Sequence, residues 1–180
     1  LGCKVNQYET DSMRELLEAA GAELTEFEDE ADVYLVNTCS VTNMAERKSR
    51  QMLHRARKKN ADALVVAVGC YVQTTPKEVL NDLSVDIVVG NNRKKEIATI
   101  LEDAIAKRNP SGEACHWLDI NRKAEYESLT ISHMTEHTRA YIKIQDGCNQ
   151  FCSYCIIPYV RGRIRSRAPE EVLEEIEHLA

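Results

Sequence analysis

Ala63-Leu64-Val65-Val66-Ala67-Val68, followed at once by Gly69-Cys70, is the stretch that decides the fold. An unbroken apolar run of strand length reads as a strand buried on both faces. Such strands belong to parallel sheets covered by helices. Upstream, Val33-Tyr34-Leu35-Val36-Asn37 has the same character, and downstream so does Asp86-Ile87-Val88-Val89. Helical patterns fill the gaps. Tyr8 to Ala20 places Met13, Leu16, Leu17 and Ala20 at helical spacing, with Gly21 as its stop. Ala45 to Lys59 is a basic amphipathic helix, Pro76 opens a short one, and Arg93 to Lys107 is another. Leu1-Gly2-Cys3 looks like the end of a further strand.

This βαβα order predicts an α/β chain: a parallel-sheet, flavodoxin- or Rossmann-like N-terminal domain with helices on both faces. It spans 1–107 and extends to about 120. From Arg108 to about His137 the pattern weakens, with a turn cluster at Asn109-Pro110-Ser111-Gly112 and room for one edge strand. Residues 121–137 read as a linker. Regular alternation returns at Arg139-Ala140-Tyr141-Ile142-Lys143-Ile144-Gln145, which reads as a strand. A cysteine loop follows, and Pro169 starts a helix over Glu170 to Leu179. Residues 138–180 thus read as the first strand-loop-helix of a (β/α) barrel. The chain opens at Leu1 without a methionine and ends inside a helical pattern, as expected of a fragment of a longer protein.

The 180 residues are 43% hydrophobic and 29% charged, with a net charge of −6, an ordinary globular balance. The sequence pI of about 5.5 argues against a wholly basic nucleic-acid-binding domain, while leaving room for a local basic patch. No apolar run approaches the ~18 residues of a membrane span, and no signal peptide is visible. Seven cysteines, an odd number, without a secretion signal point to metal ligation in a reducing cytoplasm rather than to disulfides.

Three of these cysteines, Cys148, Cys152 and Cys155, form a Cys-x3-Cys-x2-Cys run. They supply one thiolate fewer than a closed zinc site or a fully ligated four-iron cluster needs. A structural zinc site completed by His133 or His137 is one reading. A cluster with one open iron, able to bind a substrate or cofactor, is the other, and spacing alone leaves both open. Cys3, Cys39 and Cys70 are far apart in sequence, yet each sits at or just past the carboxyl end of an expected strand. In an open parallel sheet that edge forms the ligand crevice. Glycine before Cys3 and Cys70 permits close backbone approach. The bland alternative is three buried free cysteines. Cys115 has neither partner nor strand-end context and reads as bland.

Arg47, Lys48, Arg50, Arg55, Arg57, Lys58 and Lys59 make one helix basic, which by default is a solvated face. Arg161, Arg163, Arg165 and Arg167 recur at every second position. On an extended segment they line one side, which suits phosphate or carboxylate contacts.

The Cys148–Cys155 spacing resembles the signature of the radical S-adenosylmethionine (SAM) enzymes. Six cysteines in two groups of three, on an α/β domain followed by a radical-SAM start, resemble the methylthiotransferase family. Leu1-Gly2-Cys3-Lys4-Val5-Asn6-Gln7-Tyr8-Glu9-Thr10, Asn37-Thr38-Cys39-Ser40-Val41-Thr42-Asn43, Val68-Gly69-Cys70-Tyr71-Val72-Gln73 and Asp146-Gly147-Cys148 through Arg161-Gly162 carry the match. Gly2 to Thr10 and Ala45-Glu46-Arg47-Lys48-Ser49-Arg50-Gln51 look like the branch that modifies N6-threonylcarbamoyladenosine at tRNA position 37. The alternatives are the isopentenyladenosine branch, the ribosomal-protein branch, or a non-catalytic zinc- or cluster-binding module.

The resemblance implies two [4Fe-4S] clusters and SAM as cofactors. Cys148, Cys152 and Cys155 would hold the cluster that cleaves SAM, and Cys3, Cys39 and Cys70 an auxiliary cluster that carries the sulfur to be inserted. Tyr154 falls where the family places an aromatic residue near the SAM adenine; packing under the loop is the equal alternative. The implied partners are the anticodon loop of tRNA and an electron donor such as flavodoxin or ferredoxin, with no membrane. The fragment by itself is expected to lack most of the SAM pocket and to be inactive.

Overall fold

The computed structural model of the chain describes residues 2–107, 114–121, 125–132 and 140–179. Four parallel strands, β1 (Val33–Thr38), β2 (Leu64–Gly69), β3 (Ile87–Val89) and β4 (Cys115–His116), lie side by side in chain order. The register is continuous, with Val33 beside Leu64 and Thr38 beside Gly69. β4 is the edge strand that the weak region had room for, with Val88 beside Cys115.

The unbroken apolar run of β2 follows from burial on both faces. Val65 and Ala67 point to a core shared with Leu53 and Ala56 of α2 (Asn43–Lys59), Val72 of α3 (Cys70–Thr74) and Val79 of α4 (Pro76–Leu80). Val66 and Val68 point the other way, to Met13 of α1 (Lys4–Ala19) and to Ile97, Ile100 and Leu101 of α5 (Ile97–Lys107). Each fully buried valine contributes about 1.5–3 kcal/mol, so β2 is the keel of the domain. α2 starts where the Thr42 side chain accepts from Ala45 N–H at 3.1 Å. Arg57, Lys58 and Lys59 in its last turn complement the helix dipole.

The start of the chain differs from expectation. Leu1 lies outside the described residues, and Gly2-Cys3 is not strand: Cys3 is the N-cap of α1. A second difference concerns the strand expected over Arg139–Gln145. Arg139 lies outside the described residues and Ala140–Ile144 is irregular. Only β5 (Gln145–Asp146) forms, antiparallel to β6 (Arg165–Ser166). The physical reason lies in what this segment meets. A strand needs a backbone ladder, but here the neighbours are α1 and the irregular Glu125–Ile131. The side chains therefore dock singly: Lys143 against Glu9 at 2.7 Å, and Tyr126 Oη donating to Lys143 O at 3.0 Å.

α1 is thus packed on both sides. One side faces the sheet. On the other, Tyr8 is buried with Leu129 and Ile131, its hydroxyl 2.7 Å from both Leu129 O and Glu175 Oε1. Glu175 belongs to α7 (Pro169–Leu179) and also accepts from Ile131 N–H at 2.9 Å. A short helix, α6 (Ile157–Val160), follows the cysteine loop. Among the described residues no helix is long and apolar enough to cross a membrane.

Candidate functional site

The carboxyl edge of the sheet brings Cys3, Cys39 and Cys70 together. Cys39 follows β1 directly, and Cys70 opens α3 immediately after β2; they are 3% and 1% exposed. Cys3 reaches the same edge from the start of α1 and is exposed. Two glycines make the approach possible. Gly2 has φ +106°, and a Cβ there would lie 3.1 Å from Cys39 Cβ and 2.9 Å from Asn6 Nδ2. Gly69 has φ +100°, and its Cβ would meet Asn37 Oδ1 at 2.6 Å and Thr38 O at 2.8 Å. The loop after β1 is clamped from α2, where Ser49 Oγ accepts from Cys39 N–H at 3.0 Å. Burial pushes the Cys39 thiol up, and the nearby Cys70 and Cys3 push it further; the Val41 N–H and Arg161 pull it back.

Polar side chains that sequence reasoning passed over surround Cys70. Asn91, in the loop after β3, has its Nδ2 3.7 Å from Cys70 Sγ and 2.6 Å from Val160 O. Asn6 Oδ1 lies 4.0 Å from the same sulfur, while Asn6 Nδ2 donates to Thr38 O at 2.9 Å. Arg161 Nη2 donates to Asn6 Oδ1 at 2.8 Å. Asn6 was legible: it shares the α1 stripe of Glu9 and Met13 at helical spacing. Arg161 was singled out by its alternation with Arg163, Arg165 and Arg167, though not as a neighbour of the Cys70 site, whereas Asn91, a loop position, carried no period.

Arg161 belongs to a buried charge network. Glu9, 1% exposed, accepts from Lys94, from Lys143 at 2.7 Å and from Arg161 at 2.7 Å. Asp146 accepts from Lys143 at 2.8 Å and from Arg161 at 3.2 Å, and Arg165 lies 3.7 Å away. Four cations therefore meet two carboxylates, with Glu127 facing Lys94 and Lys143 as a third. Burial would lift the Glu9 carboxyl, but Lys94, Arg161 and Lys143 overcome it and hold Glu9 well below the usual carboxylate range.

The second cysteine group follows Asp146 directly. Gly147 N–H donates to Asp146 Oδ1 at 2.8 Å, and Cys148 N–H to Gly162 O at 3.0 Å. Gly147 has φ +75°, and a Cβ there would meet Gly162 O at 2.6 Å. Cys155 N–H closes the loop on Cys152 O at 3.0 Å. Cys148 and Cys155 are half-buried and Cys152 exposed. Tyr154 is 91% exposed and does not pack under the loop. Among the described residues no three His, Cys, Asp or Glu are close enough to share a single metal ion. A mononuclear zinc draws its thiolates to about 2.3 Å from one centre, whereas a four-iron cluster takes them on separate irons. His133 and His137 lie outside the described residues.

The alternating arginines do not line one side. Arg161 and Arg167 are buried, Arg167 in a pair with Glu175, and Arg165 is bound to Asp146, Asn92 and Arg161 O. Arg163 alone of the four is exposed, its guanidinium 4.3 Å from the Phe151 ring centre. The turn at Gly162 breaks the extended geometry that alternation assumed. On α2, Arg50, Arg55, Arg57 and Lys59 are paired with Glu46, Glu28, Asp86 and Glu28. Arg47, Lys48 and Lys58 are exposed, as on a solvated face. Cys115 lies on β4 in a cleft of about 330 Å³ with Arg93, Glu96, Asp103 and His116, away from the carboxyl edge. Burial pushes its thiol up.

Comparison with known proteins gives matches over most of the chain. Residues 1–90 match the Uncharacterized protein family UPF0004, and residues 142–180 match the Radical SAM superfamily. The threonylcarbamoyladenosine tRNA methylthiotransferase MtaB of Bacillus subtilis is 44% identical over 179 residues, 99% of this chain and 39% of that protein. The protein of the same name from Aquifex aeolicus is 40% identical over 183 residues, 100% of this chain and 43% of its own length. A tRNA-2-methylthio-N(6)-dimethylallyladenosine synthase from Dictyoglomus thermophilum is 34% identical over 190 residues, 99% of this chain and 40% of that protein. The chain spans about two fifths of the length of the curated relatives it matches.

Proposed function

The chain belongs to the UPF0004 family, and from that premise we propose that it is the cysteine-bearing part of a radical-SAM tRNA methylthiotransferase acting at C2 of N6-threonylcarbamoyladenosine 37. The observation that carries this reading is the joining of two three-cysteine groups by one buried polar network at the carboxyl edge of the sheet. The threonylcarbamoyladenosine substrate is favoured over dimethylallyladenosine by 44% against 34% identity.

The residues fit the groups this function needs. Cys148, Cys152 and Cys155 would hold one [4Fe-4S] cluster, and Cys3, Cys39 and Cys70 a second. Three thiolates leave each cluster an iron without a protein ligand. Lys94, Lys143, Arg161 and Arg165 against Glu9, Asp146 and Glu127 leave one cation in excess, which suits an anionic occupant, since an uncompensated buried charge is costly. When bound, the clusters and SAM supply radical chemistry, which an aromatic C–H bond requires because acids and bases do not attack it. The protein's part is to position. Gly2 and Gly69 let the backbone close on the N-terminal group, and Ser49 fixes the Cys39 loop. Asp146 fixes the turn into Cys148. Tyr154, free of the protein, is available to a bound adenine. The location is cytoplasmic, the electron donor a flavodoxin or ferredoxin.

Iron and acid-labile sulfide, measured after anaerobic reconstitution of this chain and of a Cys148→Ala/Cys152→Ala/Cys155→Ala variant, test the reading. About eight irons falling to about four is expected. Zinc in place of iron, or no iron in the triple variant, refutes two independent clusters.

A further inference from the structure

The two cysteine groups are 78 positions apart at their nearest members, Cys70 and Cys148, yet a short chain of polar atoms links them. From Cys70 Sγ it runs to Asn6 Oδ1 at 4.0 Å, from there to Arg161 Nη2 at 2.8 Å, and from Arg161 Nη1 to Asp146 Oδ1 at 3.2 Å. Asp146 Oδ1 then holds Gly147 N–H at 2.8 Å, one residue before Cys148. A parallel link passes through Asn91, whose amide touches both Cys70 Sγ and Val160 O. Arg161 is the branching point. It is 4% exposed, and its charge reaches both Cys70 and Cys39. Its anionic partners, Glu9 and Asp146, are shared with Lys94, Lys143 and Arg165, so they do not neutralise it fully.

Resting on the two-cluster reading above, the geometry points to Arg161 as the positioning residue that sets the reduction potential of the cluster at Cys3, Cys39 and Cys70. One-electron reduction of a cluster held by three thiolates adds one negative charge to a site walled from water on the Cys39 and Cys70 sides. A fixed cation one side chain removed from Cys70, through Asn6, favours that charge, and so raises the potential. Arg161 also ties Asn6, which packs under Gly2 and against Cys70, to the turn that carries Cys148. One guanidinium thereby serves both groups: charge toward the first, and fixed geometry toward the second.

The test uses the whole protein carrying Cys148→Ala, Cys152→Ala and Cys155→Ala, so that a single cluster is read. Its midpoint is measured by EPR during titration with sodium dithionite, which supplies the electron. Arg161→Met should lower the ratio of reduced to oxidised cluster at the parent midpoint by about tenfold, which is about 59 mV for a one-electron couple. Arg161→Lys, which keeps the charge, should stay within about twofold of the parent. Asp146→Asn removes a neighbouring negative charge and should move the midpoint the opposite way, toward easier reduction. It decides the matter if Arg161→Met does not fold. An unchanged midpoint in Arg161→Met or Asp146→Asn, shifts of the same sign in both, or a Lys variant that falls as far as the Met variant overturns the assignment. Absence of iron from the parent overturns the cluster reading itself, and this inference with it.

Discussion

Replacing Glu9 by glutamine removes one charge without removing volume. In the folded chain Glu9 is the only carboxylate among the described residues in direct contact with Lys94, and Lys94 is wholly buried. It also contacts Lys143 at 2.7 Å and Arg161 at 2.7 Å. E9Q leaves Lys94 facing only Glu127, and leaves Asp146 to hold Lys143, Arg161 and Arg165. Breaking a buried pair on one side costs about 3–5 kcal/mol. For a chain of this size each kcal/mol moves the midpoint about 2–4 °C, so Tm should fall by about 6–20 °C. The pH dependence has a defined sign. The Glu9 carboxyl is held below its ordinary value, so its contribution is fully present above the unfolded carboxylate pKa and is lost as pH falls through the folded one. The gap between wild type and E9Q should therefore be widest at neutral pH and narrow in acid. Thermal melts by circular dichroism from neutral to strongly acidic pH measure both. A variant melting within about 2 °C of wild type at neutral pH, or a gap constant with pH, refutes the argument that Glu9 anchors the network.

Gly69→Ala should destabilise the chain by about 1–3 kcal/mol, through its positive φ and a Cβ 2.6 Å from Asn37 Oδ1. It should also halve the reconstituted iron, read by iron assay; full iron content would show that the Cys70 approach tolerates a side chain. Cys115→Ser should leave iron and sulfide per chain unchanged, because Cys115 lies on the edge strand away from the carboxyl edge. Loss of about four irons would make it a ligand.

The strands were legible because both faces of β1, β2 and β3 are apolar, so composition alone marks them. The shared edge of Cys39 and Cys70 followed from strand ends, and Cys3 reached it by a different element than its Leu-Gly-Cys context suggested. Glu9 entered only as part of the Leu1–Thr10 resemblance, although its stripe with Asn6 and Met13 marks a buried face. The arginines show the limit most clearly. Alternation says which residues share a side of an extended segment, not whether the segment stays extended, and the turn at Gly162 sends Arg161 and Arg167 inward. The short β5 teaches the same lesson: period-2 alternation over Ala140–Gln145 needs a ladder partner that the surrounding elements do not offer.

The bonds from Glu9 to Arg161 close a loop of 152 positions, and this governs how the chain can be made. A ribosome delivers the sheet first, and at about 5–20 residues per second several more seconds pass between Lys94 and Arg161 leaving the tunnel. During that interval α1 has its sheet-facing side covered, while Tyr8 lacks Leu129 and Glu9 lacks two of its three cations. The nascent sheet domain is thus a waiting intermediate rather than a finished one. Until the later segment docks, Asn6 beside Cys70 lacks its bond from Arg161, so the order of synthesis leaves the thiol edge of the sheet unfinished to the last.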